Sequence, residues 1–82
     1  MAGLCDLTPR EMEILKLIVV GRTNKAIAAQ LGIREKTVEF HLSHIYTKID
    51  ARTRVLAGIW AIQHGLDVEA KEIPSYYFIG DS

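Results

Sequence analysis

Apolar residues recur at helical spacing from the start of the chain to about Gly65, and polar punctuation divides them into segments. Thr8-Pro9-Arg10-Glu11 reads as a helix start. Thr8 offers an oxygen to open N–H groups, Pro9 suits the first helical position, and Glu11 completes a capping box. Beyond it Met12, Leu15, Ile18 and Val19 share one face, and Gly21 predicts the stop. Thr23 is placed to cap a second, shorter helix with Ile27, Ala28 and Leu31 turned inward and Gly32 after its end. A third helix is expected from Glu35 to about Ile49, and a fourth after Thr53, ending at Gly65. No period-two alternation, internal repeat or low-complexity run interrupts this span, so the pattern predicts an all-α domain. In the remainder, Asp67 to Glu72 can add a helical turn, Pro74 should stop it, and Tyr76 to Ile79 reads as extended.

Composition narrows the class. Eighty-two residues, 49% hydrophobic and 24% charged, make one small globular domain rather than a disordered chain. A domain of this size buries only ~60–65% of its unfolded surface, so so high an apolar share hints at a second buried surface on a partner. A lone Cys5 cannot build a disulfide framework, and no cysteine cluster offers a zinc site. No apolar run approaches the ~20 residues of a membrane span. The first residues lack a secretory pattern, so a soluble, cytoplasmic chain with no membrane partner is expected. The net charge of zero conceals an uneven distribution. Between Arg22 and Arg54 seven bases face three acids, whereas from Gly65 onward Lys71 faces Asp67, Glu69, Glu72 and Asp81. A basic middle ahead of an acidic tail is a partner signal, because local field counts for more than total charge. An unevenly charged solvated surface accounts for it equally well.

Helices two and three, joined through Gly32, fit a helix-turn-helix, although the pattern alone also allows an αα-hairpin. Specific residues go further. Leu7-Thr8-Pro9-Arg10-Glu11, Gly21-x-Thr23-Asn24-Lys25-x-Ile27-Ala28, Leu31-x-Ile33, Lys36-Thr37-Val38-x-x-His41 and Ile45-x-x-Lys48 together closely resemble the LuxR/FixJ/GerE-type DNA-binding domain. The resemblance covers residues 7–66 in the family's order and spacing without a gap. It implies a tetrahelical helix-turn-helix fold, winged-helix-like but wingless, over residues 1–66, with 67–82 as an acidic and apolar C-terminal tail. It further implies sequence-specific binding of double-stranded DNA and regulation of transcription, with the helix at about 35–49 in the major groove and helix 54–64 forming a homodimer. Such domains usually close larger regulators, behind a receiver or ligand-sensing domain, and a regulator acting at a promoter would also meet RNA polymerase.

The helical wheel of the third helix can be read on its own terms. At about 100° per residue, Val38, Leu42, Ile45 and Ile49 form one narrow stripe that must face the core. Opposite lie Lys36, Phe40, Ser43 and Thr47, flanked by Glu39 and His44. In a major groove Phe40 can pack on a thymine methyl, Glu39 can accept from cytosine N4, and Ser43 can serve several bases. Phe40 folded beneath a loop or the tail is the competing reading. Glu39 and Ser43 fall where the family reads bases and where many members place Lys or another donor, so this chain departs from the pattern there. Lys36 and Thr37 sit at a helix start that favours phosphate, and Lys25, Lys48, Arg52 and Arg54 can add phosphate contacts that position the domain. Arg34 stands where the family commonly has a cap such as Ser. It cannot accept from the open N–H groups, at a cost of ~1 kcal/mol that a bound phosphate could offset.

The fourth helix carries two apolar stripes. Val55, Ile59, Ile62 and Leu66 form one, expected to serve the core; Leu56, Trp60 and Gln63 form another about 100° away. The second is the candidate dimer surface, which by two-fold symmetry would set half-sites about one helical turn apart. The alternative is that the chain's own tail covers Trp60. Catalysis finds no support: there is no phosphate loop and no nucleophile–base motif. His41 and His44 have a spacing metals can use, but no further ligands complete a site. No catalytic residue, metal, cofactor or small-molecule ligand is expected within this chain. The rival function is a protein-interaction or dimerisation module that kept the fold and binds DNA weakly or not at all, a reading that Glu39 and the acidic tail favour.

Overall fold

The computed structural model describes residues 3–78. Within them lie four α-helices, α1 (Pro9–Val19), α2 (Asn24–Leu31), α3 (Glu35–Ile49) and α4 (Arg54–Gln63), with short 3-10 turns at Leu4–Asp6, Ala70–Glu72 and Ser75–Phe78. No strand occurs among the described residues.

Three of the four helix starts carry side-chain caps, the predicted Thr8 and Thr23 among them. Thr8 Oγ1 accepts from the Glu11 N–H at 3.1 Å, and a Glu11 carboxylate oxygen accepts from the Thr8 N–H at 2.9 Å. Thr23 caps α2 through the Ala26 N–H, and Thr53 caps α4 through the Leu56 N–H, each at 3.1 Å. At the start of α3 the Arg34 side chain makes no cap hydrogen bond, as its chemistry requires. The turn between α2 and α3 depends on Gly32, whose φ of 69° lies in the left-handed region that side chains disfavour.

α1 packs against α3 and α4, and α2 packs against α3. Ile14, Leu15, Ile18 and Val19 of α1 meet Ile27 and Ala28 of α2 and the Val38–Leu42–Ile45–Ile49 stripe of α3 in one buried core. The α3 stripe is the one its wheel predicted. On α1 the buried face is centred on Ile14 and Leu15, so Met12 is only half-buried.

α4 differs from expectation. Its buried residues are Ala57, Gly58 and Ala61; of the expected stripe, Leu66 just beyond the helix is buried and Ile62 packs half-buried against the core, whereas Val55 is exposed and Ile59 is half-buried. Small side chains let two helix backbones approach closely, so the core seam of α4 is its alanine face rather than its largest apolar stripe. The tail also differs. Tyr77 belongs to the 3-10 turn Ser75–Phe78 rather than to an extended segment, and Ile79 lies outside the described residues. The tail folds back on the helices: Val68 and Ile73 pack against the core. The Tyr77 ring fills the space beside Gly58, where an added Cβ would stand 2.3–2.6 Å from its atoms. Its hydroxyl lies 3.5 Å from the Ile18 carbonyl, bridging α4 and α1. Among the described residues no helix is long and apolar enough to cross a membrane.

Candidate nucleic-acid interface

The apolar stripe of α3 fixes what its other side presents. With Val38, Leu42, Ile45 and Ile49 buried, Lys36, Glu39, Phe40, Ser43, His44 and Thr47 are exposed along the outer face. Phe40 is 62% exposed, so it is not folded beneath a loop. Its ring leans on His44, with centroids 4.4 Å apart, and lies edge-on to His41 at 6.4 Å. The three rings form an aromatic ridge rather than a lone apolar knob. Beside it a groove of about 360 Å³ runs between α3 and the starts of α2 and α4, lined by Asn24, Glu39, Leu42, Ser43, Tyr46 and Arg54. Two of the three expected base-reading residues, Glu39 and Ser43, therefore border this groove, and Phe40 stands on the ridge.

The expected phosphate ligands separate into two groups. Lys25 in the first turn of α2, Arg34 and Lys36 at the start of α3, and Arg52 before α4 are all exposed. Thr37 is half-buried, and its N–H already donates to the Arg34 carbonyl at 3.0 Å. Lys48 and Arg54 are engaged inside the chain. The Lys48 ammonium lies 2.7 Å from a Glu11 carboxylate oxygen. Arg54 Nη1 donates to Asn24 Oδ1 at 2.7 Å, and its Nη2 donates to the Arg22 carbonyl. Both cations hold elements together where the sequence suggested open ligands.

Among the described residues Glu11 is the buried acid. Burial alone pushes its carboxyl upward and is the strongest single influence. The Lys48 ammonium and the hydrogen bonds from Thr8 outweigh it together, so the group is held below its ordinary value. Glu11 thus serves twice, as half of a capping box and as the counter-ion that ties α1 to the end of α3. The capping role was legible from spacing; a partner 37 positions away was not.

Of the candidate dimer residues on α4, Leu56 is 49% exposed and Gln63 is exposed, whereas Trp60 is half-buried and packs against the chain's own core. The Trp60 ring stacks on His64 at 4.0 Å, and His64 Nδ1 lies 2.8 Å from the Trp60 carbonyl. His64 was not singled out by sequence, although four residues apart on one helix is the spacing at which such pairs meet. Tyr77 reaches α4 at Gly58, about 200° around the helix from Trp60 at ~100° per residue.

The profile of "Bacterial regulatory proteins, luxR family" matches residues 6–61, more than half of the chain. The chain belongs to that family. The luxR family comprises helix-turn-helix, DNA-binding transcription regulators, not enzymes. Over 58 residues the luxR-family domain is 49% identical to the nitrate/nitrite response regulator protein NarL of Escherichia coli K12, covering 71% of this chain and 27% of NarL. Over 60 residues it is 48% identical to the response regulator protein VraR of Staphylococcus aureus, covering 73% and 29%. The transcriptional regulatory protein LnrK of Bacillus subtilis is 43% identical over 65 residues, covering 79% and 30%. Among solved structures, the Vibrio cholerae VqmA dimer, a LuxR-type receptor in the absence of its target DNA, aligns with a TM-score of 0.71 and 33% identity. That alignment covers 73% of this chain and 27% of the VqmA chain. The chain thus spans less than a third of the length of these relatives.

Proposed function

We propose that this chain is a cytoplasmic, sequence-specific double-stranded-DNA-binding domain that regulates transcription as a dimer, with α3 as the helix that enters the major groove. One observation carries the reading: the outer face of α3 presents Glu39, Phe40 and Ser43 to solvent beside a groove, although Phe40 could have been buried. Phe40 packs on a thymine methyl, Glu39 accepts from cytosine N4, and Ser43 bonds a neighbouring base. Lys25, Arg34, Lys36 and Arg52 hold phosphates on either side, and the uncapped start of α3 favours an anion. Thr37 supports that start through its side chain. RNA polymerase and a preceding sensor or receiver domain complete the reading at the level of the whole regulator.

The test is a salt titration on random duplex DNA. Lys25→Ala and Lys36→Ala should each weaken binding about equally on all sequences and flatten the salt slope by roughly one unit, the signature of lost phosphate contacts. Unchanged slopes in both variants remove these lysines from the interface. A wild-type chain with no measurable binding at low salt favours the protein-interaction module instead.

Dimerisation is expected through Leu56, Trp60 and Gln63. Leu56 and Trp60 lie one turn apart and form an apolar patch of the kind soluble monomers tend to cover. A two-fold partner would bury both copies of it at once. Trp60→Glu should leave the helical spectrum intact, lower the dimer fraction in sedimentation, and weaken binding to paired half-sites far more than to a single one. Equal losses on both duplexes, or unfolding, would place the dimer contact elsewhere.

A further inference from the structure

Arg54 is the first residue of α4, where the helix dipole disfavours a cation and no acid stands in the first turn to offset it. Its side chain serves another helix. One guanidinium nitrogen grips Asn24 Oδ1 at 2.7 Å and the other grips the Arg22 carbonyl. Asn24 opens α2 and Arg22 belongs to the loop leading into it, so a single planar fork holds both the helix's first residue and the backbone that enters it. The same two side chains, Asn24 and Arg54, line the groove whose opposite wall is the Glu39–Leu42–Ser43–Tyr46 side of α3. The clamp therefore borders the groove opposite the side chains proposed to read bases, and through Asn24 it holds the helix start whose next residue is Lys25.

Phosphate contacts set where a domain sits on the duplex, and base contacts specify sequence only if the two are held in fixed relation. We infer that Arg54 is the positioning residue for that relation: through Asn24 and the Arg22 carbonyl it registers the phosphate-contacting start of α2 against the base-reading face of α3, so that sequence discrimination depends on it. This rests on the DNA-binding reading above. It also opposes the simpler role for the same guanidinium. A direct phosphate ligand contributes to every sequence and adds ~0.9 to the salt slope. A positioning residue leaves the slope alone, and its loss is felt on the preferred sequence.

The experiment uses the 82-residue chain and two probes: a duplex selected by the wild-type chain from a random pool, and unselected random duplex. Arg54→Met keeps an unbranched apolar stem and removes the fork. It should bind the selected duplex about tenfold more weakly, the scale of one misread base pair, while binding random duplex much as wild type does and with the same salt slope. Asn24→Ala changes no charge and should reproduce most of that loss. Arg54→Lys, whose single ammonium nitrogen replaces the two-nitrogen fork, should fall between wild type and Arg54→Met. Equal losses on both duplexes with a slope flatter by about one make Arg54 a phosphate ligand and overturn the inference. Unimpaired discrimination in Arg54→Met and Asn24→Ala overturns it as well. Circular dichroism checks folding, and if Arg54→Met does not fold, Asn24→Ala alone decides. A wild-type chain that selects no duplex and binds random DNA without a salt slope sinks the DNA-binding reading itself, a result distinct from all of these.

Discussion

Ile45→Ala should melt far below the wild-type chain, while Phe40→Ala, on the opposite side of the same helix, should melt almost with it. Ile45 is fully buried among the residues that join α3 to the rest of the domain, and Phe40 is 62% exposed. Truncating a buried Ile costs ~2–5 kcal/mol. A domain of this size holds only ~4–12 kcal/mol in total, at ~0.05–0.15 kcal/mol per residue. At ~4–8 °C per kcal/mol, the Ile45 variant loses at least ~8 °C and is partly unfolded at moderate temperature. The Phe40 variant should stay within ~0.5 kcal/mol of wild type, as surface changes do. Its deficit should appear in sequence selection, as a weakened preference for the base pair whose methyl the ring would cover. Thermal melts paired with selection from a random duplex pool check both halves. A Phe40→Ala melt as low as that of Ile45→Ala would show that the two faces of α3 have been assigned wrongly.

Lys48→Met should produce the second largest loss, and one that depends on pH. The substitution keeps a long apolar stem but leaves the Glu11 carboxylate, 4% exposed, with its Thr8 hydrogen bonds and no counter-ion. Breaking a buried pair costs ~3–5 kcal/mol. The Lys48 side chain is 36% exposed and water replaces part of its attraction, so ~2 kcal/mol is expected at neutral pH. The sign follows from the Glu11 carboxyl. In wild type it is held below its ordinary value near 4.5, so its contribution is fully present above that value and is lost as pH falls through the lower folded one. Without the ammonium two of the influences that hold the carboxyl down are gone and it moves upward from its wild-type position, so the variant loses less stability than wild type as the group takes up a proton. The gap between the two chains should therefore be widest near pH 7 and shrink between about pH 5 and pH 3. Melts at those pH values measure it. A gap that stays constant with pH assigns the loss to packing of the stem rather than to the ion pair.

The residues that made the fold legible act locally. Thr8, Thr23 and Thr53 announce helix starts because their oxygens reach N–H groups three residues on, and Gly32 announces an end because of its backbone. The α3 wheel was readable because one side carries four large apolar residues and the other carries none except Phe40, which left little freedom about which side is buried. α4 misled for the same reason. Apolar residues surround it, and the face that packs is marked by Ala57, Gly58 and Ala61, whose smallness gives a weak hydrophobic signal but permits close approach. At the candidate interface, Glu39, Phe40 and Ser43 followed from the wheel once the core face was known. The intramolecular partners of Lys48 and Arg54 did not, because Glu11, Asn24 and Arg22 lie on other elements. A lysine committed to a buried carboxylate and one open to a phosphate look identical in a sequence.

Tyr77 and Gly58 also bear on how such domains can be recombined. Residue 58 lies inside the stretch shared with the family and residue 77 lies outside it, yet the ring of one occupies the place of the other's missing side chain. A chain trimmed after Leu66 would bare a slot between α1 and α4 beside the Ile18 carbonyl. A tail of this kind transplanted onto a homologue bearing any larger residue at that point of α4 would find the slot already filled. In building chimeras, α4 and the segment that follows it should be exchanged as a matched set, even though shared ancestry is visible in only one of them.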